Sequence, residues 1–307
     1  MEIRRDVSLK EWAWWKIGGP AEYFCQPATL EEVREAARFA LEKNLPLTVL
    51  GGGTNVLISD GGIKGLTIAM SGRSSRSTLI AMKSLAGVQS EERDGRLLMT
   101  ALAGSPKSEL TKLFMRRKLA PALFLCGLPG DVGGGVVMNA GVAERIEPRE
   151  FVEIVDWVEY LDLSRPELPI VRKNKSELIW KYRASSGWQP GIVVRAGLSW
   201  SLSPDDEIPR KVKDATKNRL ARQPLDLPSG GSTFKNPDNG KAGALIEQAG
   251  LKGYKVGGAQ VSPKHANFIV NLGGATASDV QTIIRHVRSE VEAKFGVKLE
   301  TEIKFLS

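Results

Sequence analysis

The chain has 307 residues, 42% hydrophobic and 25% charged, with a formal net charge of +8. That length exceeds one small core and allows two or three domains, and the composition excludes a disordered chain. The two cysteines exclude a disulfide framework, and the two histidines exclude a histidine-rich metal site.

Met1 to Gly19 carries charges and three tryptophans but no apolar run of the signal-peptide kind. No apolar stretch of about 18 residues occurs, so no spanning helix is expected and the protein is read as cytoplasmic. Thr29-Leu-Glu-Glu32 reads as a capping box, with Leu30, Val33, Ala37, Ala40 and Leu41 on one helical face and Asn44 and Pro46 as the stop. Leu47–Leu50 predicts a buried strand running into Gly51-Gly52-Gly53-Thr54-Asn55, and short strands follow at Val56–Ile58 and Leu66–Met70. Residues 71–100 are polar, with a turn at Asp94-Gly95. Ser105-Pro106 predicts a helix start with serine as cap, a face of Leu110, Leu113 and Phe114, and basic residues at its end.

Phe151–Asp162 and Gly191–Trp200 read as strands. Between them lie a proline-rich turn over 164–169 and a short helix over 176–180. Residues 203–209 read as a linker, followed by a basic helix from Arg210 to Arg222 that ends before Pro224. A helix near 242–249, a strand over 267–271, a helix from Ala277 capped by Thr276 and Asp279, and a final strand over 299–306 complete the chain. No internal repeat is present.

Three glycine-rich segments carry the functional signal. Gly51 to Asn55 offers unhindered amides to an anion, yet it lacks both the Gly-x-Gly-x-x-Gly dinucleotide pattern and the Walker lysine; taken alone it is equally a turn. Gly127-Leu-Pro129-Gly130-Asp131-Val132-Gly133-Gly134-Gly135 is a second candidate, entering a short helix toward Asn139 and Gly141. Ser229 to Pro237 places a hydroxyl (Ser232), a cation (Lys235) and an amide (Asn236) just after two glycines. That loop suits an anionic ligand that must also receive a proton, and with Gly51–Asn55 it makes two phosphate-ready loops, which point to transfer between two anionic ligands. Basic residues are scattered rather than run together, so phosphorylated small molecules are favoured over nucleic acid. Each residue also has a plain reading: Arg183 as a surface cation, Ser232 as a turn residue, Glu302 as a solvent-facing strand residue.

Taken in order, Trp15-Lys-Ile-Gly-Gly-Pro20, Gly51–Asn55, Gly127-Leu-Pro-Gly130 with Gly133-Gly134, Met138-Asn-Ala-Gly141, Tyr182-Arg183, Gly231-Ser-Thr-Phe-Lys-Asn-Pro237 and Leu299-Glu-Thr-Glu302 resemble the UDP-N-acetylenolpyruvoylglucosamine reductase family over nearly the whole chain. The resemblance implies an α+β fold: a two-part FAD-binding domain of the vanillyl-alcohol-oxidase type over 1–70, joined by 298–307, and 71–205, then a UDP-sugar domain over 206–297. It implies non-covalent FAD held by Gly51, Gly52, Gly53, Thr54, Asn55, Gly127, Pro129, Gly130, Val132, Gly133, Gly134, Asn139 and Gly141. NADPH would be the reductant and UDP-N-acetylglucosamine enolpyruvate the substrate. Arg183, Ser232 and Glu302 would be catalytic, and Arg219, Lys235, Asn236 and Lys304 would contact substrate. The short length resembles the subtype without an extra substrate-clamping insertion. No metal, nucleic acid or membrane partner is implied, and a monomer is expected.

The implied reaction adds a hydride and a proton across the alkene of an enolpyruvyl ether. Negative charge would then build in the substrate carboxylate, for Arg183 to stabilise, while Ser232 protonates the internal carbon and Glu302 acts as an acid or polarising partner.

The sequence departs from the family at Ala13-Trp14, in the Val-Ala-Glu-Arg after Gly141, at Thr301 and Lys304, and at Asp131, where a small hydroxyl residue is usual. A carboxylate near flavin phosphates would repel them, so Asp131 is expected to face away or to cap a helix. No histidine precedes His265, which excludes a histidyl flavin link in the N-terminal half. Cys126 is the remaining conceivable tether.

Overall fold

In the computed structural model, residues 1–71, 85–144, 146–238 and 240–307 are described. Of the polar stretch over 71–100, residues 72–84 therefore lie outside the described residues.

A first sheet runs in the order Ile3–Ser8, Pro20–Cys25, Ile63–Ala69, Leu47–Leu50. Its first pair is antiparallel, and the other two pairings are parallel. The helix Leu30–Glu42 covers it, burying Val33, Ala36, Ala37 and Ala40 against Leu66 and Ile68. Its cap differs from the expectation in one bond. Thr29 Oγ1 accepts from Glu32 N, but Glu32 Oε2 accepts from Ala28 N at 2.6 Å, one residue further back.

A second sheet is antiparallel throughout, in the order Val88–Arg93, Arg96–Leu102, Gly191–Ser201, Val155–Asp162, Ile170–Asn174. Asp94 and Gly95 both adopt positive φ (51° and 70°), which turns the first hairpin with the twist its strands require. The helices Lys107–Arg116, Ala122–Leu125 and Val132–Val137 pack on this sheet through Leu110, Phe114, Phe124, Val132 and Val136. Ser105 does not cap the first of them: its Oγ accepts from Gly87 N (2.9 Å) and donates to Gly87 O (3.0 Å), while Pro106 occupies the cap position.

Three further expectations shift. Phe151–Glu153 is a single turn ahead of the strand Val155–Asp162. The helix expected over 176–180 is a turn at Lys175–Glu177 followed by a strand, Ile179–Lys181, which pairs with Ala184–Ser186. That small hairpin puts Tyr182 and Arg183 at its tip. The basic helix starts earlier, at Ile208, and shortens the linker.

The C-terminal portion holds the antiparallel strands Lys255–Val256, Ala259–Val261 and Ile269–Asn271 beneath the helices Ala242–Gln248 and Ala277–Phe295. Val280, Ile283, Ile284, Val287 and Val291 are buried at helical spacing, and Thr276 and Asp279 complete the expected capping box. Only Lys304–Leu306 of the expected final strand is a strand. It lies parallel to Val56–Ile58 and so returns the chain to its first portion.

Trp15 joins the two portions. It is fully buried, its Nε1 donates to Ile269 O at 2.8 Å, and its carbonyl accepts from Asn271 Nδ2 at 2.9 Å. Asn271 Oδ1 also accepts from Gly273 N and Ala275 N. Substituting Asn271→Ala leaves the buried Trp15 carbonyl without its partner and removes both turn bonds. Urea unfolding is expected to show a loss of about 2–3 kcal/mol; a change below about 0.5 kcal/mol would mean that solvent replaces the lost bonds.

Candidate functional site

Glycine sets how closely the first two loops approach. Gly53 has φ +64°, and a Cβ there would lie 1.8 Å from Trp12 O. Gly130 has φ +89°, and its Cβ would meet Thr54 Oγ1 at 2.7 Å; a Cβ on Gly52 would stand 3.1 Å from Gly130 Cα. The loops therefore touch each other backbone to backbone, a geometry closed to other residues. They form one end of a cavity of about 1260 Å³ that continues to the hairpin tip at Arg183 and to the loop at Ser232.

Arg183 is nearly buried and holds a left-handed backbone, φ +58°. Such strain costs about 1–3 kcal/mol and persists where the surroundings fix it. Here Nε donates to Glu302 Oε1 at 2.8 Å, Nη2 donates to Gly141 O at 2.9 Å, and the guanidinium lies 4.6 Å from the Tyr182 ring centroid. Nη1 is buried without a hydrogen-bond partner, 3.7 Å from Glu150 Oε1.

Glu302 is positioned through its backbone. Its N donates to Thr233 O at 2.8 Å, and its carbonyl accepts from Asn55 Nδ2 at 3.2 Å. Burial pushes its carboxyl up from the usual range. Arg183, Lys235 and Lys304 pull the other way without prevailing. Ser232 follows Gly230, whose missing Cβ makes room for the Trp15 ring, and Gly231, at φ +76°. Its residue lines the cavity, and among the described residues no partner engages its hydroxyl.

The cavity wall includes Gly51, Gly52, Gly53, Thr54, Asn55, Gly127, Pro129, Gly133, Gly134, Gly141, Arg183, Arg219, Ser232, Asn236, Glu302 and Lys304. Gly130, Val132, Asn139 and Lys235 stand off it. Val132 N donates to Ser105 O. Asn139 spends its side chain inside the protein: Nδ2 donates to Glu150 Oε2 and Lys181 O, and Oδ1 accepts from Val152 N. Lys235 Nζ pairs with Glu300 at 3.1 Å. On the wall, Arg219 Nε donates to Gln223, and Asn236 Oδ1 accepts from Ala242 N.

Sequence reading missed Lys107 and misjudged the surroundings of Asp131. Lys107 is 5% exposed, lines the cavity, and makes no ammonium hydrogen bond among the described residues. Burial pulls its pKa down to about 8, with Asp131 opposing and Arg219 assisting. Asp131 occupies the cap position of Val132–Val137 but makes no capping bond, and its carboxylate lies 3.5 Å from where a Cβ on Gly52 would be. It therefore faces the first glycine loop, with Lys107 close enough to offset its charge. No signal in the sequence joins residues 107 and 131.

These observations fit a diphosphate-bearing flavin: the close glycine turns at Gly53 and Gly130, open space where a Cβ on Gly134 would sit, and a buried ammonium on the cavity wall. They do not fit a covalent tether at Cys126, whose Sγ donates to Leu123 O at 3.0 Å and whose pKa burial raises. Among the described residues, no cluster suits a metal, and no helix is long and apolar enough to cross a membrane.

Residues 21–165 match the model of an FAD binding domain. Residues 223–306 match the C-terminal domain of UDP-N-acetylenolpyruvoylglucosamine reductase. A reductase of that name from Clostridium beijerinckii is 38% identical, with 99% of this chain and 92% of the relative covered. One from Limosilactobacillus reuteri is also 38% identical, covering 100% and 95%. The crystal structure of the enzyme from Thermus caldophilus superposes over 100% of both chains with a TM-score of 0.76 at 32% identity. Its α+β fold, with an FAD-binding domain followed by that C-terminal domain, and its full-length kinship show that this chain belongs to the UDP-N-acetylenolpyruvoylglucosamine reductase family.

Proposed function

We infer that the chain is an FAD-dependent oxidoreductase that reduces UDP-N-acetylglucosamine enolpyruvate to UDP-N-acetylmuramate, a step of peptidoglycan precursor synthesis. One observation carries this reading: Arg183, Ser232 and Glu302, from three distant segments, line the same cavity as the two glycine loops. Gly51–Asn55, the 127–134 segment and Lys107 would hold FAD non-covalently, and the bound flavin would supply the hydride, drawn from NADPH.

The chain's own groups manage charge and protons. Arg183 offers a planar fork to the substrate carboxylate, where negative charge grows. Ser232 holds a proton at Oγ for the internal carbon of the alkene. Glu302, whose carboxyl burial pushes up from the usual range, is the group placed to donate toward the developing charge beside Arg183. Arg219, Asn236 and Lys304 line the wall available to the UDP-sugar, and Lys235 acts from behind them through its field on Glu302.

The division into residues 1–70 with 298–307, 71–205 and 206–297 fits the two large sheets, the returning strand and the C-terminal helices. We further propose a cytoplasmic monomer that uses both ligands in turn.

In Ser232→Ala, turnover should fall about 10²–10⁴-fold, while flavin reduction by NADPH in rapid mixing stays unchanged. Full turnover in that variant would remove Ser232 from the proton transfer. Glu302 is needed protonated, so its contribution is present at low pH and lost as pH rises through its raised pKa. The kcat profile should show that descending limb, absent in Glu302→Gln. Lys107→Met should raise the FAD dissociation constant about tenfold, the worth of one charged hydrogen bond, read by flavin fluorescence after equilibrium dialysis. Unaltered retention would take Lys107 out of the cofactor's surroundings.

A further inference from the structure

Arg183 has more acidic company than one ion pair requires. Glu302 accepts from Nε on one side; on the other, Glu150 Oε1 stands 3.7 Å from Nη1. Glu150 is itself clamped. Asn139 Nδ2 donates to Glu150 Oε2 at 3.0 Å and also to Lys181 O at 3.1 Å, two residues before Arg183. Glu150 and Glu153 form a capping box around the turn Phe151–Glu153. One amide thus ties the segment after the second glycine loop, the Glu150 carboxylate and the hairpin that carries Arg183.

The charge count gives this clamp a purpose. A guanidinium at hydrogen-bond distance favours the ionised form of its carboxylate partner. That pull works against Glu302 as a proton holder. Two carboxylates sharing one guanidinium leave an excess of negative charge, which a single proton relieves. The other charged groups facing Glu302 are Lys235, engaged by Glu300, and Lys304. On the Glu150 side, Glu153 and Arg149 adjoin through the capping turn, where the backbone amides of Arg149 and Glu150 donate to Glu153 Oε1.

We propose that Glu150 is a positioning residue: it holds Arg183 and balances its charge, so that Glu302 keeps a proton beside the guanidinium. The idea rests on the roles given above to Arg183 and Glu302. Glu150 touches neither ligand in this scheme and acts through Arg183 alone.

The test compares kcat against pH for the wild-type holoenzyme, Glu150→Gln and Glu302→Gln. Glutamine preserves an oxygen for Asn139 and removes the charge. Without the Glu150 charge, the pull of Arg183 on Glu302 is uncompensated, so the descending limb should fall at a pH about one unit lower, a tenfold loss of proton affinity. A limb unmoved in Glu150→Gln but abolished in Glu302→Gln overturns the proposal and leaves the Glu302 role intact. A limb that survives in Glu302→Gln overturns the Glu302 role, and the proposal falls with it. Carboxyl ¹³C NMR of glutamate-labelled wild-type holoenzyme gives a check that needs no folded variant. The Glu302 resonance should report loss of a proton at the pH of the descending kcat limb; a Glu302 already ionised well below that limb overturns the proposal.

Discussion

Glu302 is the knot of this molecule. Its N–H is bound to the Ser232 loop, its carbonyl to the side chain of Asn55, and its carboxylate to Arg183 at the tip of a hairpin. Asn55 and Glu302 are separated by 247 positions in the chain. These bonds bring the first glycine loop, the central hairpin and the C-terminal segment to one point. The left-handed backbone at Arg183 is sustained by the same bonds, because a residue so placed would otherwise relax. The geometry of the cavity and the tertiary structure are thus one network, and its members couple rather than add.

The cavity handles charge by pairing opposites at short range. Lys107 and Asp131 oppose one another near the glycine loops, as Arg183, Glu302 and Glu150 do at the far end. Asp131 explains how a carboxylate is tolerated beside amides suited to phosphate: the buried ammonium offsets it. The net charge of +8 is thus less informative than where the buried ammonium of Lys107 sits.

Much of this was legible in the residues. The helices over 30–42 and 277–295 follow from their caps and apolar spacing, and the glycine loops follow from residue type alone. What failed to show was set by distant contacts. Ser105 reads as a cap, yet its hydroxyl serves Gly87 in a neighbouring segment. Residues 176–180 read as a helix because their pattern is short and the pairing of 179–181 with 184–186 is a matter of register. Asn139 reads as a cofactor contact, while its amide is spent on Glu150, Lys181 and Val152. The order of motifs located Arg183, Ser232 and Glu302, but only coordinates reveal that Glu150 shares the guanidinium.

The parallel pairing of Lys304–Leu306 with Val56–Ile58 bears on biosynthesis. On the ribosome, residues 56–58 emerge long before the segment that covers them. Through that interval Val56–Ile58 lacks the strand it pairs with, and Leu57 and Ile58, buried in the finished fold, stay open to contact with a neighbouring nascent chain. Arrival of Lys304–Leu306 also brings Glu302 to Asn55 and Arg183, so a polypeptide that stalls before it is both unjoined at that point and adhesive.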